Sequence, residues 1–548
     1  MHRRQPSLCG FIVVLSPLLV SNVAGCEDSE PRLAAGADVS SRAGMPSDAA
    51  EPPRDTGVQP VSAQPGQSPT VSVHGSAGMG SASQSMPLDA SAATADRMPG
   101  ASSGSAPDAG RPDRDPSPVV HDLSDKALAM WGSSVCDGFS VPSGTGWPWK
   151  VEKKLADIHG PKVMHVSTSG HTTDSKETSL ERAKIRAADF VVVCLSLGNQ
   201  GLGSAATDAS AQAVVDSYVD DMFTDDEDGD GDPVSLVNYI QSLGAHPIVT
   251  LVYPMAGYSS LHCKHVVEAN ILQQAFGIAT VNHLGPTNAG NDFEAGDCTW
   301  ANGRNAPINV ESDARHPNQL GHDENFYAFP PDLLFALASA IPFPIRPQTT
   351  DYLLLSQGGL ASAPIRYTPA HAIHSYTMQF AFQASNDGTL AAIDLGMAGF
   401  LSLEIHGGAI RLLTEDGMEG PRGVEQVTNS AWHDVAITYS HVRQKLTLYV
   451  DGALVGEQDV RRGNGVRELF PRAFILGGPA ASGRGAAPSQ LQLRDLFINR
   501  TSLHAMEVKE RATTPWVGAG SLDVYAPLRA TTPAENRAQT LQAIEIQL

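Results

Sequence analysis

At 548 residues the chain is too long for a single hydrophobic core, and a prior of about one domain per 100–200 residues gives roughly three units. Hydrophobic residues make up 41%, enough for folded domains, while 51 glycines and 38 prolines reserve part of the chain for linker. The formal net charge of −22 sets the chain against nucleic acid, which requires basic surface to displace counterions. Arg461, Arg462 and Arg467 form only a short surface cluster.

Residues 1–26 read as an export signal. His2, Arg3 and Arg4 give a positive start, and the apolar stretch from Leu8 to Val20 is interrupted by Pro17 and too short for a membrane span of about 20 residues. The stretch ends in Val23-Ala24-Gly25-Cys26, which resembles the bacterial lipobox. That resemblance implies cleavage before Cys26, acylation of Cys26, and a lipoprotein held at the bacterial cell envelope, periplasmic or surface-exposed. A secretory signal with a coincidental cysteine is the alternative. Each buried acyl methylene contributes about 0.8 kcal/mol, so several chains anchor firmly.

Residues 27–118 are Ser, Ala, Gly, Pro and Asp with almost no large apolar side chain. Such a segment cannot bury enough surface to offset chain entropy and reads as a disordered tether. Beyond it, strand and helix signals alternate. Ala127–Trp131 is an apolar run ending in Gly132, Trp149–Ile158 has helical spacing, and Phe190–Leu197 reads as a buried strand. Val234–Leu243 reads as helix, Ile248–Tyr253 as strand, Val266–Phe276 as helix, Ile278–Val281 as strand, and Pro331–Ile341 as a last helix. Alternation of this kind predicts a parallel sheet covered on both faces, with ligands at the carboxyl ends of strands.

After Pro344 the period changes to two. Tyr376, Met378, Phe380 and Phe382 alternate with Thr377, Gln379 and Ala381, and similar alternation recurs over 435–439 and 446–450. Asp451-Gly452 beside Val450 is a hairpin signal. The spacing predicts half-buried antiparallel strands and an all-β sandwich. The domains are therefore expected at 119–345 and 346–515, with 516–548 as a tail or closing strands of the sandwich.

Three features of the α/β part fall where strands or helices end: Ser134, Gly198-Asn199, and Asp313-Ala314-Arg315-His316-Pro317-Asn318. An acyl-transferring serine needs a base, an acid to orient the base, and donors for the oxyanion. These residues supply a candidate for each role.

Residues 121–344 resemble the SGNH (GDSL-like) serine hydrolases in four ordered blocks. Gly132-Ser133-Ser134-Val135 with Gly138 matches the first block and places the nucleophile at Ser134. Ser169-Gly170-His171-Thr172-Thr173 resembles the second, making the Gly170 backbone N–H an oxyanion donor. Gly198-Asn199 resembles the third, making the Asn199 amide another donor. Asp313-x-x-His316-Pro317-Asn318 with Gly321 resembles the fifth, making His316 the base and Asp313 its partner. Ser133 stands where the family usually has Asp, and Gln200 where Asp often follows the asparagine, which puts substrate preference in question rather than the triad.

The resemblance implies a three-layer, flavodoxin-like α/β hydrolase that needs no cofactor. Ser134 attacks an ester carbonyl while His316 takes its proton, the Ser134 and Gly170 N–H groups and Asn199 hold the oxyanion, and water then releases the acyl group.

Asp226, Asp228 and Asp230 with Gly231 resemble the start of a calcium loop, but Val237 occupies the twelfth position and Pro233 interrupts it. A solvated acidic loop is the preferred reading. Four cysteines lie in the hydrolase part, and in an exported chain Cys263–Cys298 is the preferred disulfide, with Cys194 a buried mid-strand thiol. Their spacing does not point to zinc. His171 is read as a surface loop residue.

Ala431-Trp432-His433-Asp434-Val435-Ala436-Ile437-Thr438-Tyr439, Leu448-Tyr449-Val450-Asp451-Gly452 and Leu493-Arg494-Asp495-Leu496-Phe497-Ile498 resemble LamG-like, concanavalin-type jelly rolls over 352–514. Such modules often bind glycans, although fold alone does not establish binding. Trp432 is read equally as a core residue or a sugar platform. The expected function is an exported esterase acting on an ester substrate such as an O-acyl group on carbohydrate. A lipase- or thioesterase-like hydrolase of the same fold, and a non-catalytic glycan-binding adhesin, are the alternatives.

Overall fold

The computed structural model describes residues 122–224, 235–255, 258–283, 316–344, 351–355, 365–414, 419–460, 467–477, 487–511 and 518–546. All of them belong to one compact unit, Gly110–Leu548. The signal and tether, with Cys26, lie outside the described residues, as do Asp226, Asp228, Asp230, Cys298 and Asp313. Among the described residues no helix is long and apolar enough to cross a membrane.

The first half is a five-stranded sheet flanked by helices. Its strands are β1 (Ala127–Gly132), β2 (Lys162–His165), β3 (Phe190–Cys194), β4 (His246–Thr250) and β5 (Ala279–Val281). All pairs are parallel, in the order β2-β1-β3-β4-β5. β3 is an unbroken run of five buried residues because helices cover both faces of the sheet. The helices are α1 (Trp147–Asp157), α2 (Thr173–Glu177), α3 (Ser179–Ala183), α4 (Asp208–Phe223), α5 (Leu236–Ser242), α6 (Ser260–Ala275), α7 (Gln319–Ala328) and α8 (Leu333–Ala338).

Local chemistry explains where helices begin. Pro148 sits in the first turn of α1, and Trp147, Val151 and Leu155 make its buried stripe at four-residue spacing. Thr207 caps α4 in a box with Ser210. The periodicity did not mark α4, because Asp208, Asp216, Asp220 and Asp221 dilute its apolar face. Nor did it mark β2, an edge strand with one exposed and three half-buried residues. The expected last helix, Pro331–Ile341, is α8, and the periodicity did not mark α7 ahead of it, from which Phe329 and Pro330 separate it.

The second half is two antiparallel sheets packed face to face. The first nine strands are β6 (Leu353–Leu355), β7 (Ile365–Tyr367), β8 (Tyr376–Gln383), β9 (Gly388–Asp394), β10 (Phe400–His406), β11 (Ala409–Thr414), β12 (Glu419–Arg422), β13 (His433–Ser440) and β14 (Lys445–Val450). The rest are β15 (Ala453–Asp459), β16 (Ala473–Leu476), β17 (Leu491–Asn499), β18 (Leu522–Ala526) and β19 (Glu545–Ile546), with α9 (Ala505–Arg511) between β17 and β18. One sheet runs β12-β11-β10-β9-β16-β7-β19. The other runs β15-β14-β13-β8-β17-β18, with β6 paired to β17. Residues beyond 516 thus supply two of the sandwich strands. One core lies between the sheets, built on Phe380, Phe382, Ile437, Leu448 and their neighbours.

β8 is not half-buried. Thr377 and Gln379 on its other face are as fully buried as Phe382, because the segment after β17 folds over that face. Thr377 Oγ1 donates to Thr501 O at 2.9 Å, and Gln379 Nε2 donates to Val508 O at 3.2 Å. Polar residues on the outer face therefore carry a second layer instead of meeting water.

The same segment joins the two halves. Ser521 N donates to Thr280 O at 3.1 Å, Asn282 N to Ser521 Oγ at 2.8 Å, and Gly520 N to Gln274 Oε1 at 3.1 Å. These bonds cover the β5 edge, which would otherwise leave unpaired backbone groups. Arg500 Nε donates to Tyr327 O at 3.0 Å while its Nη1 pairs with buried Asp523 at 3.0 Å.

Glu507 of α9 sits fully buried at this junction, accepting from His504 N at 2.8 Å and Asn282 Nδ2 at 3.4 Å. Burial pushes its carboxyl up to about 7 from an ordinary 4.5. Between those values the folded chain holds a proton that the unfolded chain has lost, so this group makes stability fall as pH rises through the window. Glu507→Gln is expected to remove that slope. Urea midpoints at pH 5 and 7 that shift equally in parent and variant would contradict it.

Candidate active site

The strand order reverses between β1 and β3, so the loops leaving their carboxyl ends splay apart and open a crevice. Ser134 follows β1, Gly170 follows β2, and Asn199 follows β3. All three line one cleft of about 460 Å³ with His316, Met255 and Tyr258.

His316 Nε2 lies 2.8 Å from Ser134 Oγ, across a separation of 182 residues. Ser134 is nearly buried, at 9% exposure. The helix after the Asp313–Asn318 motif explains the placement of the imidazole. Asn318 Oδ1 accepts from Gly321 N at 3.1 Å and caps α7, so His316 is fixed two residues ahead of a helix start. The Phe139 ring lies 4.5 Å from the imidazole, against its side. Asp313, the expected partner of His316, lies outside the described residues.

Gly170 and Asn199 lie around Ser134 in the same cleft. Gly170 takes a left-handed backbone, φ +80°, with nothing within 4 Å of where a Cβ would stand. Among the described residues, neither the Ser134 nor the Gly170 N–H has an acceptor. Asn199 Nδ2 spends one hydrogen on His171 O at 2.9 Å, which ties the β3 loop to the β2 loop and leaves its second hydrogen. Gly198 gives room to the end of Met255, whose Cε stands 2.0 Å from where a Cβ would be.

A buried charge network lies behind the β2 loop. Lys176 is fully buried and pairs with Glu181 at 2.9 Å, Trp131 Nε1 donates to the same carboxylate at 3.3 Å, and Lys184 also bonds it. Burial pushes the Glu181 carboxyl up, but bonds from Lys176 and Lys184 outweigh it and hold the group at about 2. Burial pulls the Lys176 ammonium below its usual range, against the opposing pull of Glu181. His171 is half-buried rather than on the surface, 3.8 Å from Glu181, with its imidazole shifted down by burial and by Lys176.

His322 is a second histidine the motifs did not mark. Its Nδ1 accepts from Trp147 N at 3.3 Å and its Nε2 meets Phe139 O at 3.1 Å, so it is neutral with the proton on Nε2. Burial drops its imidazole to about 4. Through it α7 holds the Phe139 loop beside His316. Gln200, at the position of the expected Asp, donates to Thr173 Oγ1 at 2.7 Å.

Cys136 and Cys194 are buried free thiols, and burial raises that of Cys194. Cys263 is disulfide-bonded; it lies in the first turn of α6 rather than in a loop, and its expected partner Cys298 lies outside the described residues. In the sandwich, Trp432 is half-buried. The Arg494 guanidinium covers its ring at 4.1 Å and Tyr352 meets it edge-on at 5.9 Å, so one ring face is already taken.

Fold and site together define an α/β unit with a parallel five-stranded sheet, joined to an antiparallel β-sandwich. No protein-family model and no curated protein matches the chain. Among solved structures it is similar to a native heptameric SAP-like pentraxin from Limulus polyphemus, at 12% identity over 30% of this chain and 80% of the pentraxin, TM-score 0.24. A Bacteroides ovatus protein named for carbohydrate binding matches at 12% identity over 37% of this chain and 61% of its own, TM-score 0.28. Domains LG4-5 of the mouse laminin alpha1 chain match at 14% identity over 30% and 45%, TM-score 0.23. The chain thus spans less than two thirds of the last two, and likenesses at this level add nothing to what the strand order defines.

Glu181→Gln is expected to cost about 3–5 kcal/mol, since it strands the buried Lys176 ammonium. Adding Lys176→Met should recover much of that loss. A single variant whose urea midpoint matches the parent would contradict this account of the loop.

Proposed function

We propose that the chain is an exported SGNH-type serine esterase. The observation that carries this reading is the 2.8 Å contact between His316 Nε2 and Ser134 Oγ in a cleft at the strand-order switch. An imidazole lone pair at that distance takes the hydroxyl proton as the oxygen attacks an acyl carbon. The developing oxyanion is held by the Ser134 and Gly170 N–H groups and the spare hydrogen of Asn199. His316 then passes the proton to the leaving alcohol. Water, deprotonated by His316, splits the acyl-enzyme and frees the carboxylic acid. Asp313 is the residue assigned to steady the imidazolium, by its place in the motif.

The cleft favours a short acyl group on a polar carrier. Ser169, Ser196, Ser204 and Asn199 line one part of it, and Phe139, Tyr253, Met255 and Tyr258 supply a bounded apolar wall. An O-acylated carbohydrate fits this chemistry better than a long alkyl chain. The Cys26 motif extends the reading to a lipoprotein at the cell envelope. Cys26→Ala should release the protein from the membrane fraction.

The test is hydrolysis of p-nitrophenyl acetate and butyrate, followed by acetylated oligosaccharides. Ser134→Ala should lose about 10⁶-fold in kcat, and Asn199→Ala about 10²–10³-fold. Full activity in Ser134→Ala would end the proposal. Saturable glycan binding without turnover would favour an adhesin instead.

A further inference from the structure

Where the α/β unit and the sandwich meet, three side chains with metal-ligating atoms converge outside the lining of the cleft. Glu324 comes from α7, His374 from the residues before β8, and His441 from the turn after β13. One ligand atom of each lies within 4.8 Å of the other two. We propose that Glu324, His374 and His441 form a zinc site that clasps the two domains.

The donor set fits. Two imidazoles and one carboxylate make a common zinc triad, leaving a fourth position for water or a further side chain. Ligands at 2.0–2.1 Å in a tetrahedron stand about 3.3 Å apart, so atoms within 4.8 Å of one another close on an ion with shifts of up to about 1.5 Å. The ligands are also oriented as ligands usually are. His374 Nδ1 faces Glu324 Oε1 at 2.7 Å, and Ser375 Oγ donates to the other carboxylate oxygen at 3.3 Å. The His374 ring is stacked between Tyr327 and Phe470.

His441 shows which nitrogen is free to coordinate. Tyr439 Oη gives its hydrogen to Arg467 O at 2.6 Å, so its contact with His441 Nδ1 at 3.3 Å requires that nitrogen to donate. Gln444 Nε2 has its two hydrogens on its nearest acceptors, His441 O at 2.8 Å and Tyr439 Oη at 3.2 Å, and lies farther, 3.4 Å, from His441 Nδ1. The Nε2 lone pair of His441 is therefore left for a cation. A second-shell partner that fixes the tautomer in this way is a usual feature of zinc-bound histidine. Glu324 is 4% exposed, and Glu468 adds another carboxylate to the field around His441. Buried carboxylate charge of this kind is costly unless a proton or a cation answers it. An ion here ties α7, whose cap Asn318 lies two residues beyond His316, to two separate segments of the sandwich.

The full chain, stripped with chelator, is titrated with ZnCl₂ by calorimetry and then loaded with Co²⁺ for visible spectroscopy. The expected result is one tight zinc per chain, a rise in Tm on binding, and the absorption of four-coordinate Co²⁺. His441→Ala and Glu324→Gln should each weaken zinc by at least about a hundredfold, while melting in chelator like the stripped parent. Zinc binding undiminished in both variants would overturn the assignment. Should the variants fold poorly, the parent decides alone, because stripped protein that takes up no zinc and shows no four-coordinate Co²⁺ spectrum contradicts it.

Discussion

A hydroxyl at the carboxyl end of one buried strand meets an imidazole 182 residues later at 2.8 Å, and the rest of the α/β unit is arranged around keeping that contact. The serine side is fixed by backbone, since β1 is a central strand paired on both edges. The histidine side is fixed by a capped helix start. A sheet whose order reverses at β1 and β3 leaves an open crevice at the first of these points, which is why Ser134 and the Gly170 and Asn199 loops share one cleft.

Support for the contact comes from groups that have no chemistry to perform. The neutral His322 bridges α1, α7 and the Phe139 loop, while the Lys176–Glu181 pair with Trp131 stands behind the Gly170 loop. The sandwich contributes to the same rigidity. It covers the β5 edge with backbone and side-chain bonds and holds α7 through Arg500, His374 and Ser375. It packs as a continuation of the α/β unit and not as a bead on a string.

Much of this was legible from the residues. Phe190–Cys194 stood out because a strand buried on both faces must be apolar throughout. Ser134, Asn199 and His316 stood out because they fall where strands or a helix end, and Gly170 only through the resemblance of its block to a hydrolase motif. Other features leave no such mark. Four aspartates interrupt the apolar residues of α4, three of them exposed and Asp221 half-buried, and Thr377 and Gln379 read as solvent-facing although a later segment buries them. Lys176 and Glu181, on two successive short helices, look like ordinary surface charges until tertiary packing removes the water. His374 and His441, far apart in sequence, meet Glu324 only because two domains dock.

The most direct test of the account is covalent labelling of the full chain with a small fluorophosphonate, mapped by peptide mass spectrometry. A serine activated by His316 should carry a single adduct at Ser134, and His316→Gln should abolish it while the fold persists. An unlabelled chain, an adduct elsewhere, or labelling of Ser134 that survives His316→Gln would contradict it.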